Sequence, residues 1–474
     1  MNFNAKQFIY ITLLWMLIIS GLTANAQQET MLYFMKDMPQ SSQLNPAHRS
    51  VYKTSVILPS AYVNAESTTF YYNSIFSDDD EYGSNVDLEK LFENLKNNNV
   101  LETSAYLDIF GLYITSDKVS VSLFIREKLS ALSSINEDVG ELFSKGTAHQ
   151  DNLNKTFNVA PTINLSHYRE YGIGFNYNIK DQWTFGLNVK YLSGIMNIQA
   201  TDATIEITTE DAVNYPLHIK VDGPVRTAGL TNVLDREGNF STANLGDYLA
   251  GGAGNGYAID VGLTYQYSDK LLFEFAATNI GQIFWSNGRR NYKIGAEDYN
   301  SYTITGASPQ QIINQEVDNT QYDSLVALFD YQLTEDGNLD SYTTYLPTYV
   351  NLASSYDFGH KFIVGATLGF SYYDNYFNPR VSVSMNKRFA DFLGLGLNYT
   401  ADKSGISRLG AAVSVGFPGI KVYAISDDIV YNISNWKNSQ SLGIRVGVNL
   451  NFGYVKKNYI NKKQTRASQI MDPD

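Results

Sequence analysis

Trp183-Thr-Phe-Gly-Leu-Asn-Val-Lys-Tyr191 is the stretch that decides the fold. Trp183, Phe185, Leu187, Val189 and Tyr191 are large and apolar, while Thr184, Gly186, Asn188 and Lys190 between them are small or polar. A period of two is that of a β-strand, whose successive side chains point to opposite faces. The same alternation recurs in Ile173, Phe175, Tyr177 and Ile179, in Ile259, Val261, Leu263, Tyr265 and Tyr267, and in Ile444, Val446, Val448, Leu450 and Phe452. Each segment has one oily face and one wet face. A soluble sandwich alternates too, so length has to arbitrate. Sandwich strands run about 5–6 residues, whereas a tilted membrane strand needs roughly 9–11. Most segments here are of the longer kind, and their Gly, Ser and Asn suit a crowded, wet barrel lumen. Composition agrees, with aromatics at 14%, charged residues at 18%, and Tyr (35) and Phe (25) prominent, a balance that favours strands.

The expected fold is therefore all-β: a transmembrane antiparallel β-barrel of about 14–16 strands over 54–454. Sixteen segments can be marked, among them 54–73, 156–167, 170–180, 182–193, 196–209 and 419–427. Fourteen is equally tenable, because boundaries are soft and 419–427 is weak. The long connections are 74–101, 131–155, 210–255, 284–345 and 428–440. If the first strand rises from the periplasm, all five fall outside the cell. The other end has only tight links at Ser116-Asp117, Tyr168-Arg169, Ser193-Gly194, Ser268-Asp269, Gly359-His360 and Pro418-Gly419. Short periplasmic turns with long extracellular loops are the outer-membrane pattern. Trp183, Trp285 and Trp436, with Tyr372, Tyr373, Tyr376 and Phe377, are expected at the outer rim as an aromatic girdle.

The N-terminus supplies an address. Lys6 precedes an apolar run from Phe8 to Ile19, and Ala24-Asn25-Ala26 stands before Gln27. A basic start, a short apolar core and an A-x-A site make a signal peptide (1–26) cut between Ala26 and Gln27. The other reading, a membrane anchor, needs roughly 20 apolar residues, more than this core has. The expected location is the outer membrane of a Gram-negative bacterium, reached by Sec-type export. With no cysteine, disulfide scaffolds, zinc fingers, iron–sulfur ligation and cysteine nucleophiles are excluded. A net charge of −13 excludes a general nucleic-acid binder.

Residues 27–53 are too irregular for a strand. Two readings stand: a disordered periplasmic leader, or a plug folded into the lumen that buries Met31, Leu32, Phe34, Met35 and Leu44. Within it, Met38-Pro-Gln-Ser-Ser-Gln-Leu-Asn-Pro-Ala47 resembles the N-terminal element of a family of uncharacterised outer-membrane barrels from Bacteroidota. More distantly the chain resembles the long-chain fatty-acid transporter superfamily, whose barrels open with an Asn-Pro-Ala hatch, and barrels associated with type IX secretion. The matching residues are Pro39, Gln40, Asn45, Pro46 and Ala47. The resemblance implies a roughly 14-stranded barrel with an N-terminal hatch. It implies a hydrophobic small molecule as cargo, entering from outside and leaving through a gap in the wall.

The remaining features are weaker. Residues 86–95 and 132–143 have helical spacing and read as small helices on the rim. Ser77-Asp-Asp-Asp-Glu81 lacks the spacing of a calcium loop. The acidic loop 284–345 and the basic tail 455–474 read as solvated chain, the tail in the periplasm. The five histidines are His48, His149, His167, His218 and His360, with His167 and His360 at periplasmic turns. No nucleophile elbow, H-E-x-x-H, Walker A or dinucleotide fingerprint occurs, and lumen carboxylates such as Asp260 and Glu274 are ordinary in a polar barrel interior. No enzyme, metal or cofactor is expected. Two functions stay open: a channel-like transport barrel with a plugged lumen, or a membrane scaffold or secretion accessory whose long loops bind an envelope protein. The expected partners are outer-membrane lipid with a small hydrophobic molecule or such a protein.

Overall fold

The computed structural model describes residues 29–75, 90, 94–95, 99–179, 182–212, 214–230, 245–294, 301–304, 333–336, 340–374, 376–389, 392–402, 407–417, 419–429 and 436–455. Fourteen wall strands follow one another around a closed antiparallel barrel. They are β1 (Tyr52–Ile57 and Ser60–Ser67), β2 (Asn99–Thr115), β3 (Val119–Ile135), β4 (Thr162–Ile179), β5 (Trp183–Ala200), β6 (Gly254–Gln266) and β7 (Leu271–Trp285). The circuit continues with β8 (Thr348–Gly359), β9 (Phe362–Tyr373), β10 (Tyr376–Phe389), β11 (Leu393–Asp402), β12 (Ser407–Phe417), β13 (Ile420–Ser426) and β14 (Ser441–Tyr454). Each pairs with the next, and β14 pairs back onto both halves of β1, as in Tyr52 opposite Tyr454 and Ala61 opposite Val446. Closure leaves the wall no free edge.

The two halves of β1 are one wall strand with a break at Leu58-Pro59. Ile57 faces Asn449 and Ala61 faces Val446, so β1 spends four steps where β14 spends three. Pro59 has no N–H for the ladder, and the extra residue is taken up as a bulge.

Sixteen becomes fourteen because two expected links are not turns. Tyr168-Arg169 lies within β4 and Ser193-Gly194 within β5. The register there shifts by one, His167 facing Met196 and Tyr168 facing Gly194, which leaves Ile195 as a bulge. The other links hold: Ser116-Asp117, Ser268-Asp269 and Gly359-His360 join strands, and Gly419 lies between β12 and β13. The five long connections share one end of the barrel, the outer one.

Burial is inverted relative to a soluble protein. Ile173 is 61% exposed while Glu170, on the same strand, is 0% exposed. The apolar outer face meets hydrocarbon and the wet face turns inward. The girdle needs correcting. Trp183 begins β5 at the turn end, stacked on Tyr265 with ring centroids 4.3 Å apart, so it sits at the periplasmic rim. Trp285 is at the outer end but points inward and is fully buried. Tyr372 and Phe377 do face outward at the outer rim, while Tyr373 is buried. The side chain of Trp436 lies outside the described residues. His360 is at a periplasmic turn, whereas His167 stands in the outer part of β4 beside Glu127.

Above the wall, Thr156–Asn158, Thr204–Thr209, Leu217–Asp222 and Ser301–Ile304 form a separate four-stranded sheet. Helix α1 (Glu137–Lys145) packs beside it. The helical reading of 132–143 is thus displaced: Leu132 and Ile135 end β3, and α1 starts after Asn136. Residues 77–81 and the tail from 456 lie outside the described residues, as do most of 86–95 and most of 284–345.

Candidate functional site

The inward face of the wall surrounds the N-terminal segment 29–51. A helical turn (Thr30–Tyr33) and a 3-10 turn (Pro39–Gln43) give it shape, with Pro39 at a first-turn position where a missing N–H costs nothing. Met31, Leu32, Tyr33, Phe34, Met35, Met38 and Leu44 are buried together against Ala353, Ala412, Tyr423 and Ile425 of the wall.

The five motif residues come together inside the barrel. Gln40 and Asn449 exchange two amide hydrogen bonds of 2.8 and 3.0 Å. The Asn45 side chain donates to Tyr33 Oη and accepts from the Ala47 N–H, both at 3.0 Å, which fixes the turn at Pro46. The Pro46 carbonyl accepts from Asn176 of β4 at 3.3 Å. Close approach demands glycine opposite. A Cβ on Gly186 would lie 2.1 Å from the Pro46 carbonyl carbon, and one on Gly262 would lie 2.2 Å from Asn45 Oδ1. Ala24, Ala26 and Gln27 lie outside the described residues.

Ion pairs fasten the segment around the circumference. Glu29 pairs with Arg445 of β14, with Nη2 to Oε2 at 3.1 Å. Asp37 accepts from Lys421 of β13 at 2.5 Å. Glu274 of β7 receives both Lys36 and His48, the latter with Nε2 to Oε2 at 2.6 Å. The wall carries its own pairs behind these. Asp108 of β2 bridges Arg126 at 2.7 Å and Arg445 at 3.0 Å. Lys128 meets Glu170 at 3.2 Å, and Lys190 meets Asp260 at 2.7 Å. Buried charge is tolerable only when paired in this way. Asp260 and Glu274 therefore sit in separate ion pairs. Among the described residues, no group of three His, Cys, Asp or Glu could hold a metal.

Two interior cavities flank the segment. One, of about 20 Å³, is lined by Met38, Pro46, His48 and Tyr113; the other, of about 30 Å³, by Glu29, Gln43, Arg126, Lys190 and Tyr349. Each has room for a water or two.

The outer face carries a larger apolar depression, about 790 Å³, across β10–β14. Leu395, Leu397, Val413 and Ile444 line it from outside, but so do Gly396, Ala412 and Ile425. Ala412 and Ile425 also belong to the buried cluster around Met31, and a Cβ on Gly396 would lie 2.8 Å from Met31 Sδ. The wall is one thin layer here. It is also notched. β13 stops at Ser426, opposite Ala411 and Ile444, while β12 and β14 continue outward. Asp427 and Asp428 occupy the notch. Asp427 accepts from Thr30 Oγ1 and the Met31 N–H, both at 3.1 Å, and Asp428 accepts from the Gly443 N–H at 3.1 Å.

The motif singled out Gln40 and Asn45, which lie in this buried segment, and did not include Glu29, Asp108, Arg126 and Arg445. The available signal was a charge on the wet phase of an alternating strand, as in Ile444-Arg445-Val446.

A closed outer-membrane-type β-barrel whose interior is occupied by its own N-terminal segment is the class that these features define. The chain belongs to a family of unknown function, DUF5723, whose model matches residues 46–427. No curated protein matches it. Among solved structures it is similar to the Ralstonia pickettii toluene transporter TbuX (9% identity, 88% of this chain and 94% of that one, TM-score 0.41). It is also similar to the Pseudomonas putida toluene transporter TodX (9%, 92% and 97%, 0.39) and a Pseudomonas aeruginosa FadL homologue (9%, 91% and 100%, 0.38).

Proposed function

We propose that this chain is a gated outer-membrane transport barrel: residues 29–48 are the gate, and the thin wall at β11–β13 is a side passage for a small apolar or amphipathic molecule. One observation carries the reading. Ala412 and Ile425 line the lipid-facing depression on one side and the buried Met31 cluster on the other. The strands are paired at Ala412 and Ile425, so a molecule leaving the cluster reaches hydrocarbon at the notch beyond Ser426, which opens when the Met31 turn releases Asp427. The fastening is exchangeable, since water can replace its partners when the segment shifts, at a net cost of about 0.5–1.5 kcal/mol for each neutral hydrogen bond and about 1.5–3 for each charged one. A wall that served only as an anchor would need no notch.

The second reading, a scaffold that binds a protein through its loops, is favoured by the four-stranded sheet above the wall. A simple passage does not need it.

The absence of cysteine makes a clean test. A Cβ on Gly365 would lie against the Phe34 ring, 2.4 Å from its nearest atom, so Phe34→Cys with Gly365→Cys brings two thiols close enough to bridge. Proteoliposomes carrying this variant are loaded with an amphipathic dye whose polar group makes it cross a protein-free bilayer slowly. Transfer blocked by oxidation and restored by reduction is the expected result. Equal transfer in both states rejects the gate, and transfer no faster than in protein-free vesicles rejects transport in favour of the scaffold.

A further inference from the structure

Another cavity, of about 570 Å³, opens at the periplasmic rim, where β11, β13 and β1 begin and β12 and β14 end. Phe417 and Ile420 line it from the face that meets hydrocarbon, and Phe392 packs edge-on against Phe417 with ring centroids 5.5 Å apart. Tyr52 and Tyr454, opposite one another across the seam between β1 and β14, line its other side with ring centroids 5.2 Å apart. Gly419 and Gly453 leave room between these rings, and their φ values of 85° and 62° are ones that a side chain would strain.

Two polar residues of the inward face reach the same cavity. Lys421 is buried, with its ammonium on Asp37 of the N-terminal segment and 5.7 Å from the centre of the Tyr52 ring. An ammonium has three N–H groups, so the bond to Asp37 leaves Lys421 able to donate again. Asn451 is 8% exposed and its backbone N–H is held by the Gly419 carbonyl at 3.0 Å. Neither Oδ1 nor Nδ2 of its side chain has a hydrogen-bond partner among the described residues. Asn449, two residues earlier on the same face, is the contrast, since Gln40 uses both atoms of its amide. Buried amides are nearly always bonded, so Asn451 calls for a partner from outside the chain.

We infer that this cavity seats one phospholipid whose headgroup carries a primary ammonium, with its acyl chains along Phe417 and Ile420 and its headgroup turned under the rim. The two ends of the cavity require an amphiphile: one is apolar and opens to hydrocarbon, the other offers a cation and an amide. A phosphate accepts from Lys421 Nζ and, once the amide turns toward the cavity, from Asn451 Nδ2. Asn451 Oδ1 then still needs a donor, and a primary ammonium on the same headgroup supplies it. A quaternary ammonium has the same charge but no N–H, so it cannot make that bond. The seat rests on the periplasmic rim and not on what crosses the barrel, so it stands or falls apart from the transport reading.

The test titrates the folded barrel, stripped of lipid in detergent micelles, with dioleoyl phosphatidylethanolamine or dioleoyl phosphatidylcholine and counts bound lipid by native mass spectrometry. The expected result is a one-to-one adduct with the ethanolamine lipid at about tenfold lower concentration than with the choline lipid, the worth of one charge-assisted hydrogen bond. Asn451→Leu should erase that difference. It should leave the urea midpoint in lipid-free micelles unchanged or higher, because no bond within the protein is lost. Equal binding of the two lipids by the unsubstituted barrel overturns the inference, as does a preference that survives Asn451→Leu. A midpoint that falls in Asn451→Leu without lipid also overturns it, since the amide would then have a partner in the protein. Free phosphoethanolamine at matched concentration should not displace the ethanolamine lipid; displacement makes the site one for a soluble phosphate compound and rejects the lipid.

Discussion

The wall has a tall side and a low side, and they are built differently. On the tall side β2, β3, β4 and β5 are 17, 17, 18 and 18 residues long; on the low side β11, β12 and β13 have 10, 11 and 7. The tall strands outrun the hydrocarbon. Tyr171 and Tyr191 face outward with ring centroids 6.2 Å apart, and above them Glu127, His167 and Arg169 form an outward-facing ion cluster. Inside, the same strands carry Arg126, Lys128, Glu170 and Lys190, paired mostly wall to wall. The low side is thin and made of small residues, Gly396, Ala411, Ala412 and Ala424, and its polar groups at Asp427 and Lys421 bond to the N-terminal segment. The comparison separates scaffold from gate. Charge paired within the wall holds shape, while charge paired to the segment holds position.

The largest expected effect tests that separation directly. Arg445→Met strips the cation from both Glu29 and Asp108, leaving Glu29 a buried carboxylate without its partner. Breaking a buried pair from one side costs about 3–5 kcal/mol. The urea midpoint should fall accordingly, and the disulfide reporter at Phe34 and Gly365 should fail to close. Lys128→Met on the tall side should lose less. Lys190 remains 3.9 Å from Glu170, and the segment keeps its contacts, so the reporter should still close. If the two variants affect the reporter equally, scaffold and gate are not distinct.

A smaller effect sharpens the low side. Leu at position 396 would drive into Met31 Sδ and into Asn386 Oδ1, which a Cβ alone would approach to 2.8 and 2.7 Å. Overpacking of this kind costs about 1–3 kcal/mol. Gly396→Leu should lift the Met31 turn without unpairing β11, giving faster transfer of the amphipathic dye and a weaker reporter signal. Unchanged transfer with a displaced turn would mean that the depression is a lipid seat and not a passage.

What the sequence disclosed follows from the same division. Alternation marks any strand half immersed in hydrocarbon, so segments such as Trp183–Tyr191 and Ile444–Phe452 were legible. Alternation failed where the wall stands in water. The outward His167 and Arg169 are polar, both faces of β4 there look wet, and the stretch resembles a turn. At Ser193-Gly194 the bulged Ile195 inverts the phase, which mimics the end of one strand and the start of another. The Trp183 error follows from the first of these false turns, which reverses which end of the next strand is up; the second, after Trp183, restores the direction. Pro39, Gln40, Asn45, Pro46 and Ala47 were legible as a motif since their turn chemistry is local. The pairing of Glu29 with Arg445 was not, because partners so far apart in the chain meet only once the barrel has closed.

The smallest expected effect lies outside the wall altogether, in α1. Asn136 caps this helix, its side chain accepting from the Asp138 N–H at 3.4 Å. Asn136→Ala should remove about 1 kcal/mol of local helix stability. Glu141 braces the same helix, and its hydrogen bond from Lys145, with help from Lys155, holds the carboxyl below the usual glutamate range. A carboxyl with a depressed pKa stabilises the folded form above its ordinary titration range and loses that contribution as pH falls through the depressed value. Amide hydrogen exchange in 137–145 should therefore quicken in Asn136→Ala at neutral pH. In the unsubstituted protein, protection relative to the intrinsic exchange rate at each pH should fall only at a pH below that at which a free glutamate titrates. Neither change should alter the urea midpoint of the barrel or the disulfide between positions 34 and 365. If removing this cap loosened the lumen, the outer sheet would have to be coupled to the gate, and the division between a self-paired tall wall and a segment-holding low wall would have to include the outer sheet.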